Sequence, residues 1–214
     1  MIRVNLKRYL FTFIAFSVFN ISAQDSSDES IDLIEDVIVT SRRREETAQS
    51  VPVAISAFSS DDLMNQNITT TDDLDNIAPN LSFFQNGSIG NATSIGIRGV
   101  GSSFTSSVRE PSVGVYVDGA YISRQQGNIF DLWDINRVEV IRGPQGTLFG
   151  RNNTTGAIQL VYNKPSEEVE GALKVGFGSR NLQSTSYMYN TPISNNFSLR
   201  LTGSNLSQQG HVLN

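Results

Sequence analysis

The sequence predicts an α+β domain, a small mixed sheet with short helices, followed by strands of an antiparallel β structure. Between residues 51 and 164, short runs rich in Val and Ile are separated by Gly, Pro, Asn and Asp, as is typical of short strands and turns. Ser59–Leu63 and Thr70–Leu74 each place Ser or Thr before paired Asp residues, which is the chemistry of a helix start. After residue 165, apolar and polar residues alternate over longer stretches.

Composition limits the classes of function. The 214 residues are 38% hydrophobic and 17% charged, which suffices for one domain with a core plus additional segments. Cys is absent, which excludes disulfides, iron–sulfur ligation and thiol catalysis, and the one His lies near the C-terminal end. No metal-ligand spacing appears, so we expect no enzyme, no cofactor and no metal site. The net charge of −5 argues against nucleic acid as a partner.

Residues 1–23 have the pattern of a secretory signal peptide. Arg3, Lys7 and Arg8 form a basic start, an apolar run covers residues 9–19, and cleavage is expected after Ala23. The apolar run is shorter than the roughly 20 residues that a transmembrane helix needs. The alternative is a buried N-terminal helix, but the sequence favours export.

Residues 24–49 are predicted to form a flexible tail. The stretch from Asp25 to Asp36 has six acidic residues and no basic one, and such a composition cannot bury enough apolar area to offset its ordering entropy. A β-branched run follows at the end of this stretch, over residues 36–40. It fits either a short edge strand docked on its own domain or a strand offered to a partner by β-augmentation.

The middle of the chain is predicted to hold short strands joined by glycine-rich turns. Expected strands are Val51–Phe58, Leu81–Phe84, Ile95–Val100, Val113–Ile122, Val138–Ile141 and Ala157–Tyr162. Gly143-Pro144 ends the fifth run, because Pro cannot donate to a ladder and Gly tolerates positive φ. Residues from Gly146 to Gly156 then form a tight crossing to the last of these strands.

Three motifs in this region resemble one protein family. The sequence R-V-E-V-I-R-G-P-Q-G-T-L-F-G-R-N at residues 137–152 is similar to the segment that ends the plug domain of TonB-dependent outer-membrane receptors. I-G-I-R-G at residues 95–99 and V-G-V-Y-V-D-G at residues 113–119 match the same family in the right order. One departure is Gly156-Ala157, where the family usually has two glycines.

The resemblance implies a plug domain over residues 50–164 and the first three or so strands of a transmembrane β-barrel over residues 165–214. Alternation of Leu173, Val175 and Phe177 with polar or small residues fits such strands, although a soluble sheet shows the same dyads. Barrels of this type close with about 22 strands. We therefore expect the sequence to be an N-terminal fragment of a receptor.

The resemblance also implies function and partners. The plug would gate energy-coupled import of a scarce substrate, of the iron–siderophore, cobalamin or glycan class, in the outer membrane of a Gram-negative bacterium. The expected partners are TonB of the inner-membrane energy-transducing complex, the small-molecule substrate, and outer-membrane lipid around the barrel. The alternative is a truncated, non-transporting periplasmic binding module derived from such a receptor.

Site residues follow from the same resemblance. The TonB box, which TonB grasps from the periplasm, corresponds to Asp36, Val37, Ile38, Val39 and Thr40. Arg98, Arg142 and Glu139 are expected to lock the plug inside the barrel through ion pairs. Candidate substrate contacts in the plug loops are Asn86, Ser88, Asn91, Ser103, Phe104, Arg109, Tyr121, Arg124 and Gln125.

Overall fold

The computed structural model describes residues 38–39, 46–47, 50–85, 92–101 and 110–210. Their strands are β1 (Ile38–Val39), β2 (Glu46–Thr47), β3 (Ala54–Ser59), β4 (Leu81–Gln85), β5 (Thr93–Ile97), β6 (Val113–Val117), β7 (Ala120–Ile122), β8 (Ile135–Arg142), β9 (Gly156–Tyr162), β10 (Glu170–Gly178), β11 (Leu182–Ser194) and β12 (Phe197–Ser207). Their α-helices are α1 (Ser60–Asn65) and α2 (Gly146–Phe149), and 3-10 helices cover Thr71–Asn76 and Gln125–Gly127. Within these ranges, no helix combines the length and the apolar character that crossing a membrane requires.

A five-stranded mixed sheet forms the centre of the predicted plug domain, in the order β3-β8-β9-β6-β7. Strands β6 and β9 are parallel, and the other neighbours are antiparallel. Val138 and Val140 project from one face of β8 into the larger core cluster. Ile141 projects from the other face and packs with Ala157 and Phe149. Strand β8 therefore contributes to the core on both of its faces, and the predicted small mixed sheet with short helices is confirmed.

Two glycine motifs turn out to encode tight hairpin turns. Arg98-Gly99 and Asp118-Gly119 have positive φ at both residues (55° and 75°, 47° and 83°), which is the conformation of a two-residue type I′ turn. The strand predicted over residues 113–122 is therefore wrong in one respect, since Asp118-Gly119 divides it into the β6–β7 hairpin. Likewise β5 ends at Ile97, and Val100 only forms an isolated bridge back to it.

Both predicted helix starts are present, and only the first opens an α-helix. At α1, Ser59 and Asp62 form a reciprocal capping box. At the second start, Asp73 Oδ2 accepts hydrogen bonds from the backbone N–H and hydroxyl of both Thr69 and Thr70, at 2.9–3.1 Å, and the segment that follows is a 3-10 helix. Burial of the Asp73 carboxyl opposes its ionisation, but these four bonds outweigh burial and hold the pKa of Asp73 below its ordinary value.

The C-terminal strands β10, β11 and β12 form an antiparallel sheet. Their register places Leu173 beside Tyr187, and it places Tyr189 between Gly171 of β10 and Leu201 of β12. These residues share the face that also carries Phe177, which is 81% exposed. Glu170, Asn190 and Arg200 form a row on the opposite face. An apolar outer face and a polar inner face are what the sequence predicts for the first strands of a membrane barrel.

Gly156 is required where β9 leaves the turn beside β8. A Cβ atom added there would lie 2.3 Å from the Ile141 carbonyl oxygen and 2.7 Å from Ile97 Cδ1. We expect Gly156→Ala to reduce the free energy of unfolding by about 1–3 kcal/mol, because the backbone must shift to relieve the clash. The matched control is Gly146→Ala, where nothing lies within 4 Å of an added Cβ. Equal stability of the two variants in chemical denaturation would contradict this assignment.

The Asp73 capping interaction predicts a pH-dependent loss of stability. A carboxyl whose pKa is lower in the folded state stabilises the fold above its unfolded pKa, and loses that contribution as pH falls through the folded pKa. Asp73→Ala should therefore destabilise the chain by about 1 kcal/mol near pH 7. The difference from wild type should shrink below about pH 4. Thermal unfolding across this pH range measures it, with Asp75→Ala, an exposed position in the same 3-10 helix, as control.

Candidate functional site

The loop of residues 143–155, here called the β8–β9 loop, is held closed by its own backbone and by one buried amide. Gly143 N–H donates to the Thr155 carbonyl at 2.8 Å, and Gln145 N–H donates to the Asn153 carbonyl at 2.9 Å. Asn153 is 1% exposed, and its Nδ2 donates to the Arg151 carbonyl and to the Tyr116 hydroxyl, both at 2.8 Å. The loop is thereby fastened to strand β6.

Two of the family-like motifs meet at this point. The Tyr116 hydroxyl donates to the Phe149 carbonyl at 2.9 Å, and the two rings lie 4.9 Å apart. Gly114 leaves space for Asn153, because a Cβ at residue 114 would lie 2.2 Å from Asn153 Oδ1. The third motif approaches through Ile97, beside Gly156. Motifs separated along the chain therefore form one packed unit, in which Gly114 lies at a close contact.

The three predicted locking residues occupy different environments. Glu139 is fully buried and forms an ion pair with Arg137, with 2.8 Å between Oε1 and Nε. Arg142 lies on the opposite face of β8, where its guanidinium donates to the Ser56 hydroxyl. Its Nε is buried and has no hydrogen-bond partner in the described ranges. Arg98 is exposed at the centre of its turn. A role of these residues against the barrel stays a prediction.

Part of the predicted TonB box is described. Ile38 and Val39 form β1, which pairs with Glu46 and Thr47 of β2 in a two-residue antiparallel ladder. Val39 is fully buried, whereas Ile38 is 50% exposed. This geometry corresponds to the docked-strand alternative for these two residues. Asp36, Val37 and Thr40 lie outside the described residues, and the coupling role stays a prediction.

Most predicted substrate contacts fall on residues that the structure does not describe, namely Asn86, Ser88, Asn91, Ser103, Phe104 and Arg109. Of the others, Tyr121 accepts a hydrogen bond from Asn152 Nδ2 at 2.9 Å and stacks at a tilt on Tyr116, with 5.4 Å between ring centroids. Arg124 is exposed, and Gln125 is buried. The Gln125 Oε1 atom has no hydrogen-bond partner in the described part of the chain.

Sequence reasoning missed one polar cluster, which joins the domain of the five-stranded sheet to the C-terminal sheet. Arg200 of β12 forms a two-pronged ion pair with Asp134, which immediately precedes β8, at 2.5 and 2.8 Å. The two side chains are 8% and 5% exposed. One signal in the sequence could have indicated this cluster. Arg200 lies between Leu199 and Leu201, so the alternation of the strand places its side chain on the polar face of the sheet.

Comparison with known proteins places this geometry in a family. The sequence model described as TonB-dependent Receptor Plug Domain matches residues 47–157. The chain is 30% identical, over 80% of its length, to the pesticin receptor of Yersinia pestis. It is 28% identical, over 85% of its length, to an iron-regulated outer membrane virulence protein of Vibrio cholerae. The crystal structure of the ferric yersiniabactin uptake receptor from Yersinia pestis matches 73% of the chain with a TM-score of 0.63 and 29% identity.

The chain covers 24% of the pesticin receptor, 29% of the Vibrio protein and 24% of the yersiniabactin receptor structure. The plug-domain match and the antiparallel sheet β10–β12 that follows it confirm the predicted fold of a plug followed by barrel strands. The chain therefore belongs to the TonB-dependent receptors of the Gram-negative outer membrane, and most of its described residues form the plug domain of that family.

Proposed function

We propose that this chain is the gating region of an importer in which TonB drives passage of a scarce substrate through the barrel. The observation that carries the proposal is a contrast in attachment within the plug. The central sheet pairs β8 with β3 over six residue pairs and with β9 over seven. By comparison, β1 is held by two residue pairs. A lid of this kind is strong in its core and weak along one N-terminal strand.

The partner proposed for β1 is TonB. Ile38 and Val39 already adopt the extended conformation, so a competing strand can replace β2 without refolding them. Release of Val39 from its buried position is the energetic cost of that exchange, because an apolar side chain loses contacts with its own domain. The proposed exchange couples engagement by TonB to loosening of the plug.

The proposed substrate belongs to the iron–siderophore class. Two relatives support this proposal. One is a ferrioxamine receptor of Yersinia enterocolitica, which is 29% identical to this chain, and the other is the yersiniabactin uptake receptor described above. Tyr121 lies in β7, the edge strand of the sheet, and Arg124 lies just after it, so an aromatic ring and a guanidinium are available there to contact a chelator. Cobalamin and glycans are the other substrate classes that the sequence leaves open.

The proposed lock involves Arg98, Arg142 and Glu139. Arg98 is exposed on the surface of the plug. The buried Nε of Arg142 can donate a hydrogen bond to a barrel carboxylate. Glu139, on the other face of β8, pairs with Arg137 and so holds that side chain in place within the sheet. In this proposal the first two residues contact the barrel, and the third positions its neighbour.

Val39→Pro tests coupling through β1. Pro removes the backbone donor of a paired strand, so TonB-dependent uptake should be lost while substrate binding to intact cells is retained. Val39→Thr, which keeps a β-branched side chain and the N–H group, is the matched control and should transport. Uptake of the radiolabelled ferric chelate at the normal rate in the Pro variant would refute the coupling role.

Arg142→Ala tests the lock. Loss of a charged donor near the plug surface should weaken closure by about 2 kcal/mol, so protease should cleave the plug faster in outer-membrane fractions. Arg142→Lys keeps the charge without the planar fork and should be intermediate. Arg151→Ala serves as the control, because the Arg151 side chain is 82% exposed. Protease resistance equal to wild type in the Arg142→Ala receptor would count against locking.

A further inference from the structure

We propose that Asp134 and Arg200 form a permanent anchor between the plug and the first barrel hairpins, and that the plug stays attached there throughout transport. The inference rests on the proposed function, because it concerns which contact the importer keeps while others open. The charges in this pair are the reverse of those expected from the sequence, which predicts plug arginines as the locking residues. Here the plug supplies the carboxylate, and the barrel strand supplies the guanidinium.

The geometry of the ion pair is that of a strong, specific contact. Arg200 Nε lies 2.8 Å from Asp134 Oδ2, and Arg200 Nη2 lies 2.5 Å from Asp134 Oδ1. The planar fork therefore meets both carboxylate oxygens, an arrangement that fixes orientation as well as distance. A third contact runs from Arg200 Nη1 to Glu170 Oε2 of β10, at 3.1 Å. Arg200 thus joins the plug to two elements of the barrel sheet.

Burial makes this pair different from the Arg151–Glu110 pair at the plug surface. The Arg200 and Asp134 side chains are 8% and 5% exposed, whereas the Arg151–Glu110 pair is 82% and 58% exposed with 3.8 Å between its atoms. Exposed pairs of that kind contribute little. Separating a buried two-pronged pair, in contrast, gives up both charge-assisted hydrogen bonds, and it is strongly unfavourable wherever either charge stays desolvated. An opening step that breaks the Asp134–Arg200 pair is therefore disfavoured relative to one that leaves it intact.

Hydrogen bonds from two neutral side chains reinforce the same position. Trp133, next to Asp134, donates its indole N–H to the Tyr187 carbonyl of β11 at 3.0 Å. Asn163 Nδ2 donates to Asp134 Oδ1 at 3.1 Å. These contacts hold four elements together around Asp134. The elements are the start of β8, the start of the connecting segment at Asn163, and strands β11 and β12.

Asn190 fastens the rest of the connection. It is fully buried in the row between Glu170 and Arg200. Its Oδ1 accepts from the Ser166 N–H at 3.1 Å, and its Nδ2 donates to the Ser166 hydroxyl and to the Glu168 carbonyl, at 2.8 and 2.5 Å. The segment that links plug and barrel is held against the barrel wall beside the anchor, so motion of the plug at this corner is restrained twice.

The first experiment measures the contribution of the anchor to closure. Arg200→Met should increase the rate at which protease cleaves the plug in outer-membrane fractions by about two orders of magnitude, if cleavage follows the open population. Lys174→Met is the matched control, because Lys174 projects from β10 on the same face of the barrel sheet and is exposed. Cleavage of the two variants at the same rate would overturn the anchor.

The second experiment tests permanence with two reversible tethers, since these 214 residues contain no Cys. In one receptor, Asp134→Cys and Arg200→Cys are bridged with a bis-methanethiosulfonate about as long as an arginine side chain. In another, Val39→Cys and Glu46→Cys are oxidised to a disulfide, because cross-strand partners have the Cα separation that a disulfide needs. Uptake of the radiolabelled ferric chelate is measured before and after reduction, with reagent-treated wild type as reference.

The proposal expects undiminished uptake with the 134–200 tether and loss of uptake with the 39–46 tether, restored by reductant. Loss of uptake with both tethers overturns the permanent anchor and leaves the gating function standing. Undiminished uptake with the 39–46 tether, or uptake by wild type that does not depend on the proton gradient, overturns the proposed function itself. The two failures are therefore distinguishable.

Discussion

The structure depends on one strand that is buried on both of its faces. Strand β8 contributes Val138 and Val140 to one core cluster and Ile141 to the other, while its neighbours β3 and β9 satisfy its backbone on either side. Glu139 lies inside this strand and is fully buried, so its charge requires the Arg137 guanidinium at 2.8 Å. The position of β8 then fixes both ends of the functional region: the β8–β9 loop at one end, and Asp134 at the other.

Local chemistry explains why some elements could be predicted from the sequence. The valines of β8 and the apolar residues of β9 are buried because of their own hydrophobicity. Ser59 and Asp62 cap α1 through contacts between residues three apart in the sequence. The hairpin at Asp118-Gly119 was missed because the alternation of apolar and polar residues in β6 continues without a break through the two-residue turn into β7. The 3-10 helix after Thr70 was predicted simply as a helix, since its capping chemistry is shared by both kinds of helix.

Features that depend on distant contacts could not be predicted in the same way. Alternation shows that Arg200 points to the inner face of β12, but it contains no information about the plug residue that this face meets. Asn153 is another example, because an Asn in a glycine-rich loop reads as a turn residue, yet its amide is the fastening between that loop and Tyr116. The family resemblance predicted the fold of the domain, but the contacts that hold its parts together are visible only in three dimensions.

The contact between Gly114 and Asn153 has a consequence for how sequences of this kind can vary. The missing Cβ at residue 114 and the buried amide at residue 153 occupy one shared volume, with 2.2 Å between the added Cβ and Asn153 Oδ1. A larger side chain at the first position is compatible with the fold only when the second becomes smaller and another donor secures the loop. We therefore expect residues 114 and 153 to covary, because the side chain present at one position limits which substitutions the other can accept.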